Sequence, residues 1–171
     1  MGGDRMTDVP TSEAYKLFYP RQSTLVTSFD SRKNRPNVMV VDWAAPLSFE
    51  PPLVGVSVGK TRYSHSCISD CRCFVVAFPT PEMSDTILKI GSTSGRDTDK
   101  FRDFSITAVA GKTKAPLVRE CFANVECELA ASHDVGDHTL FVGRVVAASA
   151  KSQDRALLNV GGRKFKTLAL K

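Results

Sequence analysis

The chain has 171 residues, of which 42% are hydrophobic, so we expect one domain over residues 1–171 with a short flexible lead at about residues 1–12. The formal net charge of +5 suits an anionic ligand, but it is small for a nucleic-acid-binding protein, and the cations are spread along the chain. No apolar run reaches the roughly 18 residues of a membrane span, and the polar N-terminus lacks the apolar segment of a signal peptide. We therefore expect a cytoplasmic protein that has no membrane partner.

Short apolar runs separated by polar turns make up the first half of the chain. Strands are predicted by STLVTSF, VMVVDW, LVGVSVG and CFVVAF, at residues 23–29, 38–43, 53–59 and 73–78. Helical stretches are predicted at residues 12–18, 61–71 and 80–91, the last with Pro81 in its first turn and Gly91 at its end. Three prolines predict that AAPLSFEPP, residues 44–52, is a rigid irregular connection.

A polar loop at residues 92–104 leads into a second half that is rich in strands. SITAVAG, CFANVECELAASH and HTLFVGRVVAASA predict strands at residues 105–111, 121–133 and 138–150. The residues between the last two, around Gly136, predict the turn of a hairpin. Strands do not alternate with long helices, which argues against a doubly wound sheet. The sequence therefore predicts a mainly β fold with short helices.

A Gly-Lys-Thr tripeptide at residues 59–61 directly follows the third predicted strand. A nucleotide-binding Walker loop needs a glycine five positions before Gly59, and that position is Val54, so this interpretation is disfavoured. What remains is a set of cations and hydroxyls, which includes Arg62 and Ser64, at a predicted helix start. Such a position favours the binding of an anion.

Five cysteines are present, which is an odd number in a chain without an export signal, so we expect them to be reduced. Cys67 and Cys71 are four residues apart and can share a helical face, and Cys73 opens the next strand. A metal site would need a second ligand cluster, and Cys121 with Cys127 lack the tight spacing of a zinc site. Plain thiols are favoured over metal ligands, and a redox role for the first group stays open.

Several motifs together carry a resemblance to a known family. They are, in chain order, NVMVVDW, PLSFEPPLVGVSV, TRYSH, CFVVAF, GSTSGRDTDKF and GDHTLFVGRV. In order and spacing they resemble the flavin reductase-like family, and in particular its flavoredoxin and ferric reductase branch, from about residue 19 to about residue 150. The resemblance implies an FMN-binding split β-barrel and a homodimer.

The resemblance also implies which residues hold FMN. They are Asn37, Val38, Met39, Val40, Trp43, Ser57, Val58, Gly59, Arg62, Ser64, Ser94, Gly95, Lys100, His138 and Phe165. The phosphate is expected near Arg62, Ser64 and Lys100, where the GSTSG turn can add backbone N–H groups. The alternative for Arg62 and Lys100 is that they are ordinary surface cations.

The ring of FMN is expected along the strand that Asn37 opens. Family members commonly carry threonine where this chain has Val40, so a hydroxyl contact near the reactive edge of the flavin is absent here. For Trp43 the alternative is a core aromatic, and for His138 it is a hairpin residue bound to Asp137. Phe165 either covers the cofactor or anchors a terminal strand.

The expected function is an FMN-dependent oxidoreductase that passes electrons from NADH or NADPH, or from a redox partner, to ferric iron, a flavin or another acceptor. No G-x-G-x-x-G follows a predicted strand, so the nicotinamide would meet the flavin directly, and no catalytic acid, base or nucleophile is identified. The alternative is a non-catalytic FMN-binding electron carrier. A nucleic-acid-binding barrel is disfavoured because VMVVDW and CFVVAF lack interleaved cations.

Overall fold

The computed structural model describes residues 6–153 and 155–170, and strands dominate this part of the chain. The strands are β1 (Arg21–Gln22), β2 (Thr24–Asp30), β3 (Arg35–Val41), β4 (Ala44–Ser48), β5 (Leu53–Gly59), β6 (Cys73–Phe78), β7 (Ala108–Val109), β8 (Leu117–Val118), β9 (Ala123–Val135), β10 (His138–Ala150), β11 (Arg155–Asn159) and β12 (Phe165–Ala169). The α-helices are α1 (Tyr63–Cys71), α2 (Ser84–Ser92) and α3 (Lys100–Asp103). Thr11–Phe18 and Pro81–Met83 are 3-10 helices.

The main sheet has seven strands in the order β3-β2-β6-β9-β10-β5-β4, and neighbouring strands are antiparallel. Its edge strands β3 and β4 do not pair with each other, so the sheet is curved but not closed. A second sheet has the order β1-β11-β12, and β7 pairs with β8. This arrangement confirms the predicted mainly β fold with short helices and agrees with a split barrel.

The core lies on both faces of the main sheet because side chains alternate along each strand. Leu25 of β2 points to one face, where it joins a cluster that includes Ile87 and Ile90 of α2. Val26, the next residue, points to the other face and joins a cluster that includes Phe74 and Phe141. The helices after β6 are therefore held against one face of the sheet, next to the edge that β3 forms.

Most predicted strands are confirmed. The differences occur where tertiary contacts, rather than the local sequence, determine whether a segment forms a strand. The expected irregular connection at residues 44–52 is instead the edge strand β4, which pairs with β5. An edge strand tolerates Pro46 because one side of its backbone needs no partner. Of the predicted strand at residues 105–111, only Ala108–Val109 is extended. Strand β11 was not predicted, and β3 ends at Val41 rather than continuing to Trp43.

The described part of the chain contains no helix with the length and apolar character needed to cross a membrane. Residues 1–5 of the expected N-terminal lead lie outside the described residues.

Candidate functional site

A cavity of about 500 Å³ opens beside the outer edge of β3. Its walls are β3, the start of α1, the end of α2 with the loop that follows it, and the β11–β12 hairpin. Eight of the residues expected at the cofactor line it: Met39, Val40, Arg62, Ser64, Ser94, Gly95, Lys100 and Phe165. The fold thus brings together residues that are up to 126 positions apart in the chain.

The start of α1 presents hydrogen-bond donors to this cavity. Arg62 caps the helix with an extended backbone, and its own N–H donates to the Gly59 carbonyl over 2.9 Å. The next two N–H groups, of Tyr63 and Ser64, have no intrahelical acceptor because they belong to the first turn. The exposed Arg62 guanidinium has no hydrogen-bond or ion-pair partner among the described residues. This wall of the cavity therefore combines a cation with free backbone donors.

Asn37 lies behind the cavity wall and fixes the position of Ser64. It is 5% exposed, and its amide nitrogen donates to Ser28 Oγ over 3.1 Å and to Ser64 Oγ over 2.8 Å. Because the Ser64 oxygen accepts from Asn37, its own proton is directed elsewhere, and Ser64 lines the cavity. Asn37 itself does not line the cavity, so its side chain acts on the site through Ser64.

The loop at residues 92–99 is held against β3 by two cations. Arg35 donates through Nη2 to the Gly95 carbonyl over 2.8 Å and to the Thr98 carbonyl over 3.3 Å, and Lys33 donates to the Arg96 carbonyl. Gly95 is required here because a Cβ at this position would overlap the Asn37 side-chain oxygen. The loop is therefore seated directly on the residue that orients Ser64.

Lys100 opens α3 and is a buried cation, with 6% of its surface exposed. Its Nζ donates to the Ile90 carbonyl in the last turn of α2 over 2.8 Å, which leaves two of its three donors for other partners. Burial lowers the pKa of Lys100 to about 8, since no carboxylate offsets the loss of hydration. An anion in the cavity would supply the missing opposite charge.

Further cations surround the ring of Tyr63, next to Arg62. The charged groups of Arg32, Lys33 and Arg96 lie 5.6, 5.6 and 5.8 Å from the ring centroid. Burial, followed by the hydrogen bond that the Tyr63 hydroxyl donates to Asp30, raises the pKa of Tyr63 to about 12. The Tyr63 ring is therefore neutral, and the three cations pack against it. Of these cations, Arg96 also lines the cavity.

Another part of the cavity lining is apolar and borders an open strand edge. Met39, Val40, Ile87 and Phe165 contribute to its lining. Since β3 pairs only with β2, the backbone groups on its other edge have no strand partner. A flat ligand placed here would meet apolar side chains on its faces and backbone donors and acceptors along its edge.

Asp42 is a half-buried carboxylate that lines the cavity and contacts the second sheet. Asn159 donates to it over 2.7 Å and Ser23 over 3.3 Å. Burial raises the pKa of Asp42, while these two hydrogen bonds act in the opposite direction. The Asn159 contact ties β11 to the end of β3, which is how the tail hairpin reaches the cavity.

Six other residues expected at the cofactor do not line the cavity. Val38 and Val58 are 0% and 1% exposed and belong to the core, which leaves only their backbone for a ligand. Ser57 and Gly59 pair with β10, away from the cavity. The Trp43 and His138 rings contact each other with centroids 4.8 Å apart, and His138 Nδ1 lies 2.7 Å from Asp137 Oδ1. His138 thus makes the hairpin contact with Asp137 that the sequence left open.

Comparison with known proteins identifies the family of the chain. The sequence profile of the family described as Flavin reductase like domain matches residues 16–169. The chain belongs to this family. This flavin reductase-like protein is 44% identical over 132 residues to an uncharacterized protein of Archaeoglobus fulgidus, covering 77% of this chain and 73% of the relative. Membership makes it a flavin-related oxidoreductase.

Two further relatives are named as reductases, and one solved structure is named for its flavin. FMN reductase (NADH) SmoA of Agrobacterium fabrum is 31% identical over 68% of this chain and 63% of its own length. An NADH-dependent FAD reductase of Streptomyces globisporus is 28% identical over 85% of this chain and 78% of its own length. The FMN-binding protein from Thermus thermophilus, solved with bound p-hydroxybenzaldehyde, superposes with a TM-score of 0.85 at 30% identity, covering 100% of this chain and 98% of that one.

Several residues of the flavin reductase-like cavity were missed by sequence reasoning. They include Asp42, Tyr63, Arg96, Asn159 and Arg163. Asp42, Tyr63 and Arg96 stand inside the quoted motifs NVMVVDW, TRYSH and GSTSGRDTDKF, so these motifs carried a signal for them. Asn159 and Arg163 lie in the tail, where no motif marks them. The pairing of β11 with β1 and β12 and the hydrogen bond from Asn159 to Asp42 bring them to the site.

Proposed function

We propose that this protein is an FMN-dependent oxidoreductase that passes electrons from NADH or NADPH through FMN to an acceptor such as ferric iron or a free flavin. The observation that carries the proposal is the mixed lining of the cavity beside β3. Cations and the donors at the start of α1 line it together with apolar side chains and an open strand edge. A flavin mononucleotide likewise combines a phosphate with a flat ring.

The phosphate would lie at the start of α1. Arg62 offers a guanidinium without a partner among the described residues, Ser64 offers a hydroxyl proton, and the first turn of the helix adds backbone N–H groups. Lys100, which is bound to the end of α2, brings a second positive charge to the cavity lining. The volume of about 500 Å³ falls within the range of about 300–1,000 Å³ that is common for ligand sites.

The ring would lie along the outer edge of β3. Backbone groups of residues 38–40 can bind the polar edge of the ring, while Met39, Val40 and Phe165 bound its faces. When bound, FMN would supply the hydride and electron chemistry, and the protein would supply binding, orientation and electrostatics. The nicotinamide would meet the ring directly, in line with the lack of a G-x-G-x-x-G motif after a strand.

A flavin titration with matched ligands tests the cofactor. Arg62→Ala should weaken FMN binding by about ten- to a hundred-fold, because a hydrogen bond to a charged group contributes about 1.5 to 3 kcal/mol. Riboflavin, which lacks the phosphate, should bind the variant and the original protein with nearly equal affinity. Arg144→Ala is the matched control, since Arg144 is an exposed cation paired with Glu128 outside the cavity. Equal losses for FMN and riboflavin would contradict the phosphate assignment, and tighter binding of FAD than of FMN would contradict the choice of cofactor.

Turnover is tested separately from binding. The protein with bound FMN should oxidise NADH or NADPH in the presence of ferric iron or free flavin, followed by the loss of nicotinamide absorbance. A protein that binds FMN but does not oxidise either nicotinamide would instead be the non-catalytic electron carrier that the sequence left as the alternative.

A further inference from the structure

Two cysteines outside the flavin cavity face each other across a single residue. Cys71 is the last residue of α1 and Cys73 is the first residue of β6, and their sulfurs are 3.7 Å apart. Neither lines the cavity beside β3. The pair therefore has no part in the proposed flavin chemistry.

The backbone between the two cysteines forces their side chains to the same side. Arg72 has a left-handed conformation with φ of 58°, and its N–H donates to the Ile68 carbonyl over 3.0 Å, which ends α1. The Arg72 carbonyl accepts from the Leu129 N–H over 2.9 Å, and this contact starts the pairing with β9. The helix end and the strand start are both fixed, so the approach of the two sulfurs is built into the fold.

The environments of the two sulfurs differ. Cys71 is partly exposed at the helix end, and its thiol lies 3.1 Å from the Cys73 carbonyl oxygen. Cys73 is 5% exposed. The hydrogen bond between the thiols lowers the pKa of Cys73, together with N–H donors of Ala115 and Lys114 and the Thr113 hydroxyl, and it raises the pKa of Cys71. Cys73 is therefore the sulfur that ionises first, and a thiolate is the reactive form of cysteine.

The remaining thiols and the metal alternative do not explain the pair. Cys67, Cys121 and Cys127 are 0%, 1% and 0% exposed, and burial raises the pKa of each. Across residues 6–153 and 155–170 no group of three or more His, Cys, Asp or Glu side chains is arranged to hold a metal ion. Cys71 and Cys73 thus remain as an isolated dithiol with one partly exposed member.

We propose that Cys71 and Cys73 form a redox site whose oxidant is hydrogen peroxide and whose product is an intramolecular disulfide. The Cys73 thiolate attacks one peroxide oxygen, the O–O bond breaks, and hydroxide leaves, which gives a sulfenic acid on Cys73. The Cys71 sulfur then attacks the Cys73 sulfur, the S–O bond breaks, and water leaves. In total, two thiols and one hydrogen peroxide give one disulfide and two waters, and two electrons pass from the sulfurs to the peroxide.

The geometry suits both a small oxidant and the formation of the disulfide. Cys73 is 5% exposed, which favours a small oxidant such as hydrogen peroxide over a bulky disulfide reagent. A disulfide has an S–S distance of about 2.05 Å, so the sulfurs must approach by less than about 2 Å. Cys71 lies at the end of a helix, where the side chain has more freedom than inside the sheet. A reductant that restores the two thiols would complete a reversible cycle.

Oxidation of the full chain with hydrogen peroxide tests the proposal. The reduced protein is treated with the peroxide, quenched with catalase and unfolded, after which the free thiols are counted and the intact mass is measured. We expect the thiol count to fall from five to three, with a mass loss of two hydrogens that dithiothreitol reverses. Peptide mapping should place the bond between Cys71 and Cys73. Five remaining thiols, irreversible oxygen addition without disulfide, or a disulfide between two chains would each overturn the proposal.

Single variants separate the two roles. Cys71→Ser should stop at the sulfenic acid, which dimedone traps on Cys73, whereas Cys73→Ser should give neither a trapped adduct on Cys71 nor a disulfide. Cys121→Ser is the matched control, because it removes a buried thiol away from the pair and should form the disulfide as the original protein does. Dimedone labelling of Cys71 in the Cys73→Ser variant would overturn the assignment of Cys73 as the attacking sulfur. None of these readouts depends on bound flavin.

Discussion

Burial and the proposed ligand have opposite effects on the charge of Lys100. Burial favours the neutral amine, whereas an anionic ligand favours the ammonium. With the pKa of Lys100 lowered to about 8 by burial, a growing fraction of the free protein carries a neutral amine above this pH. Binding of a phosphate dianion requires the charged form, since only that form provides an opposite charge. FMN affinity should therefore fall as the pH rises above about 8, approaching a tenfold loss per pH unit. Fluorescence titrations at pH 7 to 9.5 measure this dependence.

The Lys100→Met variant and riboflavin are the two controls for this pH dependence. Lys100→Met should bind FMN more weakly at pH 7, with a flatter pH dependence above 8, and riboflavin affinity should not show the dependence in either protein. Because the folded chain holds the Lys100 proton less tightly than the unfolded chain, with a pKa near 8 against 10.5, the stability of the ligand-free protein should rise between these pH values. FMN affinity that stays constant up to pH 9.5 would remove Lys100 from the phosphate site.

Val40 is where the chain departs from the threonine that its family commonly carries. It lines the cavity, and its side chain faces Gly91 of α2, with Cγ2 3.5 Å from the position that a Cβ on Gly91 would take. Val40→Thr adds one hydroxyl in nearly the same shape, worth about 0.5 to 1.5 kcal/mol as a hydrogen bond. We predict a shift of some tens of millivolts in the FMN midpoint potential, since about 30 mV corresponds to about 1.4 kcal/mol for a two-electron couple.

A redox titration of the original protein, Val40→Thr and Val40→Ala decides the role of position 40. Val40→Ala removes the methyl groups without adding a hydroxyl, so it reports the effect of packing alone. A shift in Val40→Thr that Val40→Ala reproduces would show that the hydroxyl is not its cause. Equal potentials in the original protein and Val40→Thr would show that position 40 acts on the flavin only through its backbone, if at all.

At the level of elements, the loop at residues 92–99 and strand β3 form one wall only because Gly95 and Asn37 fit against each other. A Cβ at Gly95 would overlap the Asn37 amide, which in turn holds Ser64 at the start of α1. Gly95→Ala should therefore weaken FMN binding by about tenfold or more. The physical reason is that either the loop or Ser64 must move.

A double-mutant cycle isolates this contact. Asn37→Ala also weakens binding, because the Ser64 hydroxyl loses its fixed orientation, but it removes the atom that a new Cβ would meet. The effect of Gly95→Ala on FMN affinity should be much smaller in the Asn37→Ala background than in the original chain, which is the signature of two residues in contact. Additive effects of the two substitutions would show that Gly95 acts on the site by another route.

The elements that the sequence predicted best are those whose pattern is local. Strand β6 is a continuous apolar run and β10 a long alternating one, and both have the predicted bounds. Strand β4 was missed because Pro46 suggests an irregular segment, whereas its position at the sheet edge makes the proline harmless. Strand β11 was missed because its pairing with β1 joins residues more than 130 positions apart.

The same reasoning explains which parts of the site were predictable. Arg62, Ser64 and Lys100 stand in motifs with a recognisable chemistry, and the structure brings all three to one cavity. Asp42 stands in the motif NVMVVDW, but its hydrogen bond from Asn159, a residue 117 positions away, cannot be read from the sequence. Trp43 and His138 were expected at the ring because the resemblance implied an aromatic residue and a histidine there. In the structure their rings contact each other and do not line the cavity beside β3.

At the scale of the whole molecule, the open sheet leaves a second, apolar cavity on the side of β4, which we call the β4 groove. It has a volume of about 740 Å³, and strand residues such as Val54, Val76 and Val125 line it together with Phe18. Near this cavity, Leu47 of β4 is 47% exposed, and Phe49, in the turn after β4, is 98% exposed. Asp42 lines both the β4 groove and the flavin cavity, so the two features share a wall.

We predict that a second copy of the chain covers the β4 groove, which makes the protein a homodimer with its flavin sites near the boundary. Exposed apolar side chains around a groove and an edge strand without an outer partner are a self-complementary surface that a two-fold axis can bury. Light scattering at micromolar concentration with FMN present should give the mass of a dimer. Ala45→Glu places a charge in the groove and should give a monomer, whereas Ala130→Glu, the same change at an exposed position of β9 outside the groove, should leave the dimer intact. A monomer of the original chain would contradict the prediction, and a dimer that persists in Ala45→Glu would place the interface on another face.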